Sequence, residues 1–391
     1  MGLAALLVVV AALVNEFRPV GAVAARQTIS SSTGGYGGSA RVPWPATGQA
    51  AIGGEEGGAI VSTPGVRPRP IASVAKVMTA LVVLDEKPLV VGDQGPAIAV
   101  TPADVTEYQQ EKAAQQSVVE VQAGEQLTEY QALEALLIPS GNNIASLLAR
   151  WASGSVDAHV RKMNARAKAM GLNRTTFADV SGVSEKTVSV PSDLVRLGQA
   201  ALDNGVLAGI VQEEQAVLPV AGLQVNVNYG LGQSGIFGIK TGNTPSGGAI
   251  YLFAGNVQMP GGNTIYMVGA VQGLPTLDQA FTAAKTLLAA APASLRPVLV
   301  VSRNQKVGRY DLPWGGGSDV VTTRDLKVFT WGDTKVRASL QARAVSPPLS
   351  PGTHVGRLRV TAGDAVFEVP VTNVAELLAP GRLARLTRVT W

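Results

Sequence analysis

An almost wholly apolar stretch covers residues 74–84 and contains no glycine or proline. A run without a polar face predicts a buried helix. Pro68 and Pro70 keep the preceding backbone extended, because proline has a fixed φ and disfavours helix at the residue before it. Ser73 and Lys76 therefore lie three residues apart at the start of the predicted helix, on the same face.

The patterns that follow predict an α+β domain. Helical periodicity or capping residues predict helices over 128–137, 143–152, 157–170, 192–204 and 277–291. Three apolar segments joined by Gly, Pro and Asn turns predict an antiparallel meander over 235–241, 248–257 and 263–273. Helices packed on such a sheet are typical of the α+β class, and we expect this domain to span residues 42–292.

A different pattern begins after residue 297. Short alternating segments are separated by turns rich in Gly, Pro and Asp, which predicts a small all-β domain over residues 297–391. The Ala- and Pro-containing stretch 291–297 is the predicted boundary between the two domains.

The N-terminal residues suggest export. Residues 1–14 form an apolar run that is too short to cross a bilayer as a straight helix. The run suits a signal-peptide core followed by small residues at 22–24, although no basic residue precedes it. We expect residues 1–24 to be a signal peptide or an N-terminal membrane anchor. Residues 25–41, rich in Ser, Gly and Thr, are predicted to be a flexible tether, with the body of the protein in the cell envelope or secreted.

Composition excludes several kinds of chemistry. The chain has no cysteine, so disulfides, thiolate catalysis and cysteine-bound metals are excluded. Its two histidines, His159 and His354, are predicted to be surface residues on a helix and a strand. The net charge of +4 is spread along the chain without a dense basic run, which disfavours nucleic-acid binding. We expect no metal, no other cofactor and no nucleic-acid partner.

Ser73 and Lys76 carry the first candidate chemistry. A serine hydroxyl becomes a good nucleophile when a base takes its proton. A lysine can be that base only when neutral, and burial or a second cation lowers its pKa in that direction. Free N–H groups at a helix start favour an oxyanion beside the serine.

Two further elements complete a set of three motifs. Ser140-Gly141-Asn142 lies on a predicted turn between two helices, and Lys240-Thr241-Gly242 ends an apolar strand. With Ser73-Val74-Ala75-Lys76 they match the SxxK, SxN and KTG set of penicillin-binding proteins and class A β-lactamases. Their order and their predicted helix, turn and strand contexts make the set specific.

The surrounding residues widen the resemblance. The blocks PIASVAKVMTA, AGEQLTEYQALEALLIPSGNNIASLLA, MNARAKAMGLNRTTFADVSG and GIKTGNT resemble the D-alanyl-D-alanine carboxypeptidases, the low-molecular-mass penicillin-binding proteins. The resemblance covers roughly residues 42–290. It implies a penicillin-binding-protein or β-lactamase-like fold, and the β-rich tail resembles the C-terminal domain of many members.

The resemblance assigns roles to five catalytic residues. Ser73 would attack the carbonyl of the penultimate D-alanine of a peptidoglycan stem peptide and form an acyl-enzyme, and penicillins would acylate the same serine. Lys76 would take its proton. Ser140 would relay a proton to the departing D-alanine, and Asn142 would bind the substrate amide and position Lys76. Lys240 would supply the second cation.

Further residues would bind substrate. Thr241 would hydrogen-bond the substrate carboxylate beside Lys240, and Gly242 would let the substrate backbone lie against the strand. The backbone N–H groups of Ser73 and Asn243 would form the oxyanion hole.

The sequence departs from the family at three points. Asn143 stands where many members have an acidic residue, and Asn243 where many have a histidine. The arginine that often meets the substrate carboxylate has no counterpart, because no Arg or Lys occurs between Thr241 and Ala284. We therefore expect weaker carboxypeptidase activity than in a member with that arginine. Comparable turnover of a D-Ala-D-Ala tripeptide would contradict this expectation.

Three alternatives stay open at this stage. A β-lactamase would need fast deacylation, yet the loop before the third motif offers only Glu185 as a glutamate. A catalytically weak penicillin-binding scaffold of the cell envelope would keep the fold without turnover. A DD-endopeptidase would use the same chemistry on cross-links. If the protein is tethered to a membrane, the N-terminus is the better candidate, since the apolar face at the C-terminus is short.

Overall fold

The computed structural model of the chain describes residue 10 and residues 14–33, 42–54, 60–259, 262–331, 335–363 and 365–387. The chain divides into two compact units, Ala40–Ser294 and a second formed by residues 1–39 with 295–391. The division at Ser294 lies between the two predicted domains.

The first unit contains a five-stranded antiparallel sheet. Its strands are β1 (Gln49–Gly54), β2 (Val61–Ser62), β3 (Ile236–Thr244), β4 (Gly248–Gln258) and β5 (Thr264–Leu274). They lie in the order β3-β4-β5-β1-β2, which confirms the predicted meander and places β3 at an edge. Three two-stranded pairs accompany the sheet: Arg69–Pro70 with Val188–Ser189, Ala97–Ala99 with Gln126–Thr128, and Gln215–Leu218 with Gly222–Val225.

Eight helices of this unit are described. They are α1 (Ala75–Glu86), α2 (Pro102–Ala113), α3 (Glu129–Leu137), α4 (Asn142–Ser153), α5 (Val156–Ala169), α6 (Pro191–Asp203), α7 (Gly205–Ile210) and α8 (Leu277–Ser294). The starts of α2 and α3 are fixed by capping boxes, in which Thr101 pairs with Asp104 and Thr128 with Gln131. A short 3-10 helix, Ala72–Val74, leads directly into α1.

Both faces of the sheet are covered, which explains why β4 shows no alternation of polar and apolar residues. Ile250 and Leu252 belong to the core shared with the helices. Tyr251 points to the opposite face, where its ring meets Phe281 of α8 edge-on at 4.9 Å between centroids. A strand buried on both sides has no position that favours a polar residue.

Helix α1 is the centre of the helical layer. Every residue from Ala75 to Leu84 is buried, including the polar side chains of Lys76 and Thr79. The helix packs against α3, α4, α5 and α6. The predicted buried helix is therefore confirmed, and its lysine is surrounded by protein.

The second unit is rich in β-strands. Seven strands form one antiparallel sheet in the order Ala25–Gln27, Lys306–Asp311, Gly317–Thr322, Ala365–Asn373, His354–Ala362, Val336–Ala342 and Ser32–Thr33. Leu295–Val301 pairs with Leu326–Trp331 in a separate two-stranded sheet. A short helix, α9 (Arg382–Thr387), follows. The predicted fold class, an α+β domain followed by a small β-rich domain, is confirmed.

The prediction of a flexible tether over 25–41 is wrong for its described residues. Ala25–Gln27 and Ser32–Thr33 supply both outer strands of the seven-stranded sheet. The side chain of Gln27 also accepts a hydrogen bond from Leu340 N at 2.9 Å. Small polar residues resemble a linker in composition, but strand pairing uses backbone groups that every such residue carries. Residues 34–41 lie outside the described residues.

His159 is a second correction. It lies on α5 and is completely buried. Its Nε2 lies 3.3 Å from the carbonyl oxygen of Thr79, and its Nδ1 lies 3.0 Å from Ser153 Oγ. Burial lowers the pKa of His159 to about 4, which favours the neutral imidazole. A histidine on a mostly polar helix resembles a surface residue until the packed face is known.

Within the described ranges, no helix has the length and apolar character needed to cross a membrane. Residues 1–9 and 11–13 of the predicted signal peptide or anchor lie outside the described residues.

Candidate active site

Ser73 lies on the 3-10 helix in front of α1, on a turn with an unusual backbone conformation. The preceding residue, Ala72, has a φ of +46°, which is rare for a residue with a side chain. The turn is pressed against Gly182, where an added Cβ would lie 1.7 Å from the carbonyl oxygen of Ala72. The loop containing Gly182 thus supports the nucleophile, and this position has no room for a side chain.

This support gives a testable prediction for Gly182→Ala. The methyl group would displace either the loop or the Ser73 turn, and a misplacement of about 1 Å can cost roughly 100-fold in rate. We expect the rate of acylation of Ser73 by benzylpenicillin to fall by about 10- to 100-fold, measured by stopped-flow fluorescence.

Gly154→Ala is the matched control. Gly154 has a φ of +80°, close to the +83° of Gly182, but nothing lies within 4 Å of an added Cβ. Both variants carry the same backbone strain, about 1 kcal/mol, and only Gly182→Ala adds the clash. Equal acylation rates in the two variants would contradict the supporting role.

Lys76 is completely buried and contacts the first motif, the second motif and the loop that contains Ser181. Its Nζ lies 2.8 Å from Ser73 Oγ and 3.4 Å from Ser140 Oγ. It also lies 2.6 Å from Asn142 Oδ1 and 3.2 Å from the carbonyl oxygen of Ser181. The structure therefore brings together four of the five predicted catalytic residues. The fifth, Lys240, makes none of these contacts, but its charge lowers the pKa of Lys76.

The contacts of Lys76 are compatible with a neutral amine. The oxygens of Asn142 and Ser181 can only accept hydrogen bonds, so each accepts one from an N–H of Lys76. A neutral amine has no third proton, and its lone pair is left for the serine hydroxyls, of which Ser73 is the nearer. A neutral Lys76 in this arrangement has the geometry that removal of a proton from Ser73 requires.

The electrostatics agree with this protonation state. Burial is the main cause that lowers the pKa of Lys76 well below its ordinary value, and the charge of Lys240 lowers it further. The carboxylates of Asp179 and Glu111 act in the opposite direction. Lys240 is itself completely buried, which lowers its pKa to about 7.

The role of Lys240 can be tested by Lys240→Met. Lys240 is charged below about pH 7 and there lowers the pKa of Lys76. Without that charge the pKa of Lys76 rises, so the acid limb of the acylation rate against pH should move to higher pH. The expected loss is larger at low than at high pH, whereas a purely structural defect would lower the rate equally at every pH. Lys327→Met, at an exposed lysine of the other unit, is the control.

The second motif connects α3 and α4. Ser140 has a φ of +70° and is buried. At Gly141 an added Cβ would lie 2.9 Å from Val119 Cγ2 and 3.0 Å from the carbonyl oxygen of Ala135, so glycine is required by packing. Asn142 begins α4, and its side-chain Nδ2 donates to Gln116 Oε1 at 2.8 Å.

Asn143 has a structural reason for being an amide. Its Oδ1 accepts from Val119 N at 3.0 Å, and its Nδ2 donates to the carbonyl oxygen of Val119 at 2.9 Å. A carboxylate could accept but could not donate. This departure from the family pattern therefore holds a neighbouring segment in place.

The third motif lies on the edge strand β3, beside the nucleophile. Thr241 is buried next to Lys240. At Gly242 an added Cβ would lie 2.8 Å from Ala72 Cβ and 3.1 Å from Ser73 N, so glycine allows the strand to approach the Ser73 turn. The neighbouring Asn243 has an exposed side chain. The oxyanion hole formed by Ser73 and Asn243 N–H groups, and the contacts of Thr241 and Gly242 with substrate, stay predictions.

Residues outside the motifs also belong to the site. Ser181 contributes only a backbone carbonyl, and its loop is held by Asp179, which accepts hydrogen bonds from Ser181 Oγ, Val183 N and Thr187 Oγ1. The sequence contains no signal for a carbonyl contact, because every residue type has one.

Glu111 of α2 is a further carboxyl group near Lys76. Its Oε2 is buried and has no hydrogen-bond partner within the described part of the chain. Burial, followed by the charge of Glu107, raises the pKa of Glu111 to about 7. No group of three His, Asp or Glu side chains that could hold a metal ion occurs among the described residues.

The fold and the site are those of an acyl-transferring serine enzyme with a buried lysine beside the serine. A family of D-alanyl-D-alanine carboxypeptidases matches residues 49–259. A D-alanyl-D-alanine carboxypeptidase of Mycobacterium tuberculosis is 36% identical over 224 residues, which cover 54% of this chain and 72% of that protein. The chain belongs to the D-alanyl-D-alanine carboxypeptidase family.

Two other relatives bear on function and fold. A D-alanyl-D-alanine endopeptidase of Pseudomonas aeruginosa is 35% identical over 128 residues, which cover 33% of this chain and 38% of that protein. The structure of penicillin binding protein 5 from Haemophilus influenzae superposes with a TM-score of 0.67 at 18% identity. That superposition covers 86% of this chain and 99% of the other, so the likeness of fold extends beyond the catalytic unit.

Proposed function

We propose that this serine D-Ala-D-Ala carboxypeptidase removes the terminal D-alanine from peptidoglycan stem peptides through an acyl-enzyme on Ser73. The observation that carries the proposal is the position of Lys76 Nζ, which lies 2.8 Å from Ser73 Oγ and also contacts Asn142 Oδ1 and the carbonyl oxygen of Ser181. A buried amine of lowered pKa and an edge strand beside Ser73 support binding of an extended peptide along β3.

The acylation step follows from these positions. Ser73 Oγ attacks the carbonyl carbon of the penultimate D-alanine while its proton passes to the lone pair of Lys76. The proton then reaches the leaving nitrogen through Ser140 Oγ, which lies 3.4 Å from Lys76 Nζ. The C–N bond breaks, D-alanine departs, and an ester joins Ser73 to the rest of the peptide.

Deacylation repeats the proton transfers with water. Lys76 takes a proton from a water molecule that attacks the ester, and Ser73 recovers its proton as the C–O bond breaks. One water is consumed for each D-alanine released. A β-lactam acylates Ser73 by the same first step, but its amide nitrogen stays attached to the adduct after ring opening.

The first test is intact-mass spectrometry of the full chain with benzylpenicillin. We expect one adduct per chain, located by peptide mapping on the peptide that contains Ser73, and persisting for many minutes. Slow loss of the adduct is expected because Glu185, the glutamate that a β-lactamase would need to activate water, has an exposed side chain. Loss of the adduct within seconds would indicate a β-lactamase, and no adduct would favour the scaffold alternative.

The preferred substrate is decided by product analysis. Relatives named carboxypeptidase and relatives named endopeptidase both match this chain. A carboxypeptidase releases free D-alanine from an uncross-linked pentapeptide, whereas an endopeptidase cleaves a cross-linked dimer. We expect the first reaction to be the faster, and faster cleavage of the dimer would favour the endopeptidase alternative.

We propose in addition that the protein is exported and that its N-terminal segment is retained as an anchor. Val23 pairs with Val345 through hydrogen bonds of 2.8 and 2.9 Å, and Arg385 donates to the carbonyl oxygen of Glu16 at 3.2 Å. Cleavage after residue 24 would remove these contacts. N-terminal sequencing of protein from the membrane fraction tests the proposal, and a mature protein that begins at residue 25 would contradict retention.

A further inference from the structure

The side-chain amide of Asn142 is held from both ends. Its Oδ1 accepts from Lys76 Nζ at 2.6 Å, and its Nδ2 donates to Gln116 Oε1 at 2.8 Å. Asn142 and Lys76 belong to the three motifs, whereas Gln116 belongs to none of them.

The orientation of this amide decides what Lys76 can do. The oxygen and nitrogen of an asparagine side chain are nearly equal in size, so hydrogen-bond partners determine which one points where. If the amide were reversed, an N–H donor would face Lys76 Nζ and compete with Ser73 for the lone pair of the amine. With Gln116 Oε1 facing it, a reversed amide would place two oxygens against each other, so Asn142 could reverse only if the Gln116 amide turned as well.

The backbone around Gln116 is held by hydrogen bonds at the end of α2. Gln115 has a φ of +56°, its N–H donates to the carbonyl oxygen of Lys112 at 3.0 Å, and Gln116 N donates to that of Glu111 at 3.0 Å. These two bonds and the left-handed residue form a Schellman motif at the end of α2. The next residue, Ser117, accepts a hydrogen bond from Asn142 N at 2.8 Å. The half-buried Gln116 therefore faces Asn142 from a backbone that is hydrogen-bonded on both sides of it.

We propose that Gln116 is a positioning residue for the acylation reaction, which acts by fixing the amide orientation of Asn142 and through it the lone pair of Lys76. Asn142 Nδ2 carries two N–H protons, and one of them is donated in the hydrogen bond to Gln116 Oε1. The other is left for the carbonyl oxygen of a substrate amide, so Gln116 also sets the direction in which Asn142 meets the substrate.

The test measures the second-order rate of acylation by benzylpenicillin in Gln116→Leu and Gln116→Glu. Leucine has a similar volume but no acceptor, and we expect a loss of about 3- to 10-fold, the usual worth of one hydrogen bond. Glutamate restores an oxygen at the same place and should recover the rate to within about 3-fold of the unmodified protein at alkaline pH. Gln109→Leu, an exposed glutamine of α2, is the matched control.

The rates are measured across pH, because the new carboxylate of Gln116→Glu adds to the charged groups around Lys76. These groups are Lys240 on β3, Asp179 on the supporting loop and Glu111 on α2. An added negative charge raises the pKa of Lys76, so Gln116→Glu should also move the acid limb to higher pH, while Gln116→Leu should not.

A double-mutant cycle separates positioning from a general structural effect. If Gln116 acts through Asn142, the loss caused by Gln116→Leu should disappear in an Asn142→Ala background. An equal loss in both backgrounds, or an unchanged rate in Gln116→Leu, would overturn the inference. Thermal unfolding of each variant reports whether it is folded.

The inference rests on the proposed roles of Lys76 and Asn142, and the two can fail separately. If Asn142→Ala itself leaves acylation unchanged, the proposed roles fail together with the inference. If Asn142→Ala lowers the rate and Gln116→Leu does not, only the inference fails.

Discussion

Ser73→Ala should abolish the covalent adduct with benzylpenicillin and lower the release of D-alanine by at least about 10⁴-fold, as expected when a nucleophile is removed. Alanine leaves no oxygen that could form the ester. It removes a single side-chain hydrogen bond, to Lys76, so the fold should persist. Intact-mass spectrometry and a D-alanine assay measure the two effects.

Ser346→Ala, at an exposed serine of the other unit, should retain both the adduct and the activity. An adduct on Ser73→Ala would show that another residue is acylated. Activity in the absence of an adduct would show that peptide hydrolysis does not pass through an acyl-enzyme on Ser73.

Lys76→Met should lower the rate of acylation by about 10²- to 10⁴-fold, the usual contribution of a general base. Methionine is similar in length to lysine and apolar, so it occupies the same buried position without the desolvation cost of a buried amine. Ser73 keeps its hydroxyl but loses the lone pair 2.8 Å away. The rate is measured by stopped-flow fluorescence, with thermal unfolding as the measure of stability.

The control is Lys112→Met, because Lys112 is exposed and bonded to Tyr108 Oη at 3.0 Å, away from the motif residues. Acylation by Lys76→Met at more than a tenth of the normal rate would mean that another group accepts the proton. In that case the four contacts of Lys76 would serve mainly to shape the site.

The pKa values of the two lysines are lowered for related reasons. Burial lowers both pKa values, and the charge of Lys240 lowers that of Lys76 further. A proton on Lys240 therefore favours a neutral Lys76, so one buried cation helps to create the base while it remains available for an anionic substrate. The coupling is strong because both lysines are inside the protein.

The amino-acid sequence by itself determined the local context of every motif. An almost wholly apolar run after Ser73 predicted a buried helix, and the Pro139–Asn142 stretch, with glycine inside it, predicted a break between helices. The apolar segments between 235 and 273, joined by Gly, Pro and Asn turns, similarly predicted the antiparallel meander. These features follow from periodicity and breakers, which act over a few residues and leave a direct record in the chain.

The tertiary structure decided which distant groups meet. The lowered pKa of Lys76 depends on burial and on Lys240, while the carbonyl of Ser181 and the side chain of Gln116 reach the site from separate segments. None of these contacts requires an unusual residue type, so none leaves a pattern in the sequence.

The two corrected predictions have the same physical origin. Residues 25–33 join a sheet through backbone hydrogen bonds, and His159 is buried because one face of α5 packs against α1. Composition describes what a segment prefers when alone, whereas pairing and burial are properties of two segments together. The sequence therefore determined the elements and the chemistry of the motifs, and only the packing of those elements decided the protonation and the supporting contacts of the site.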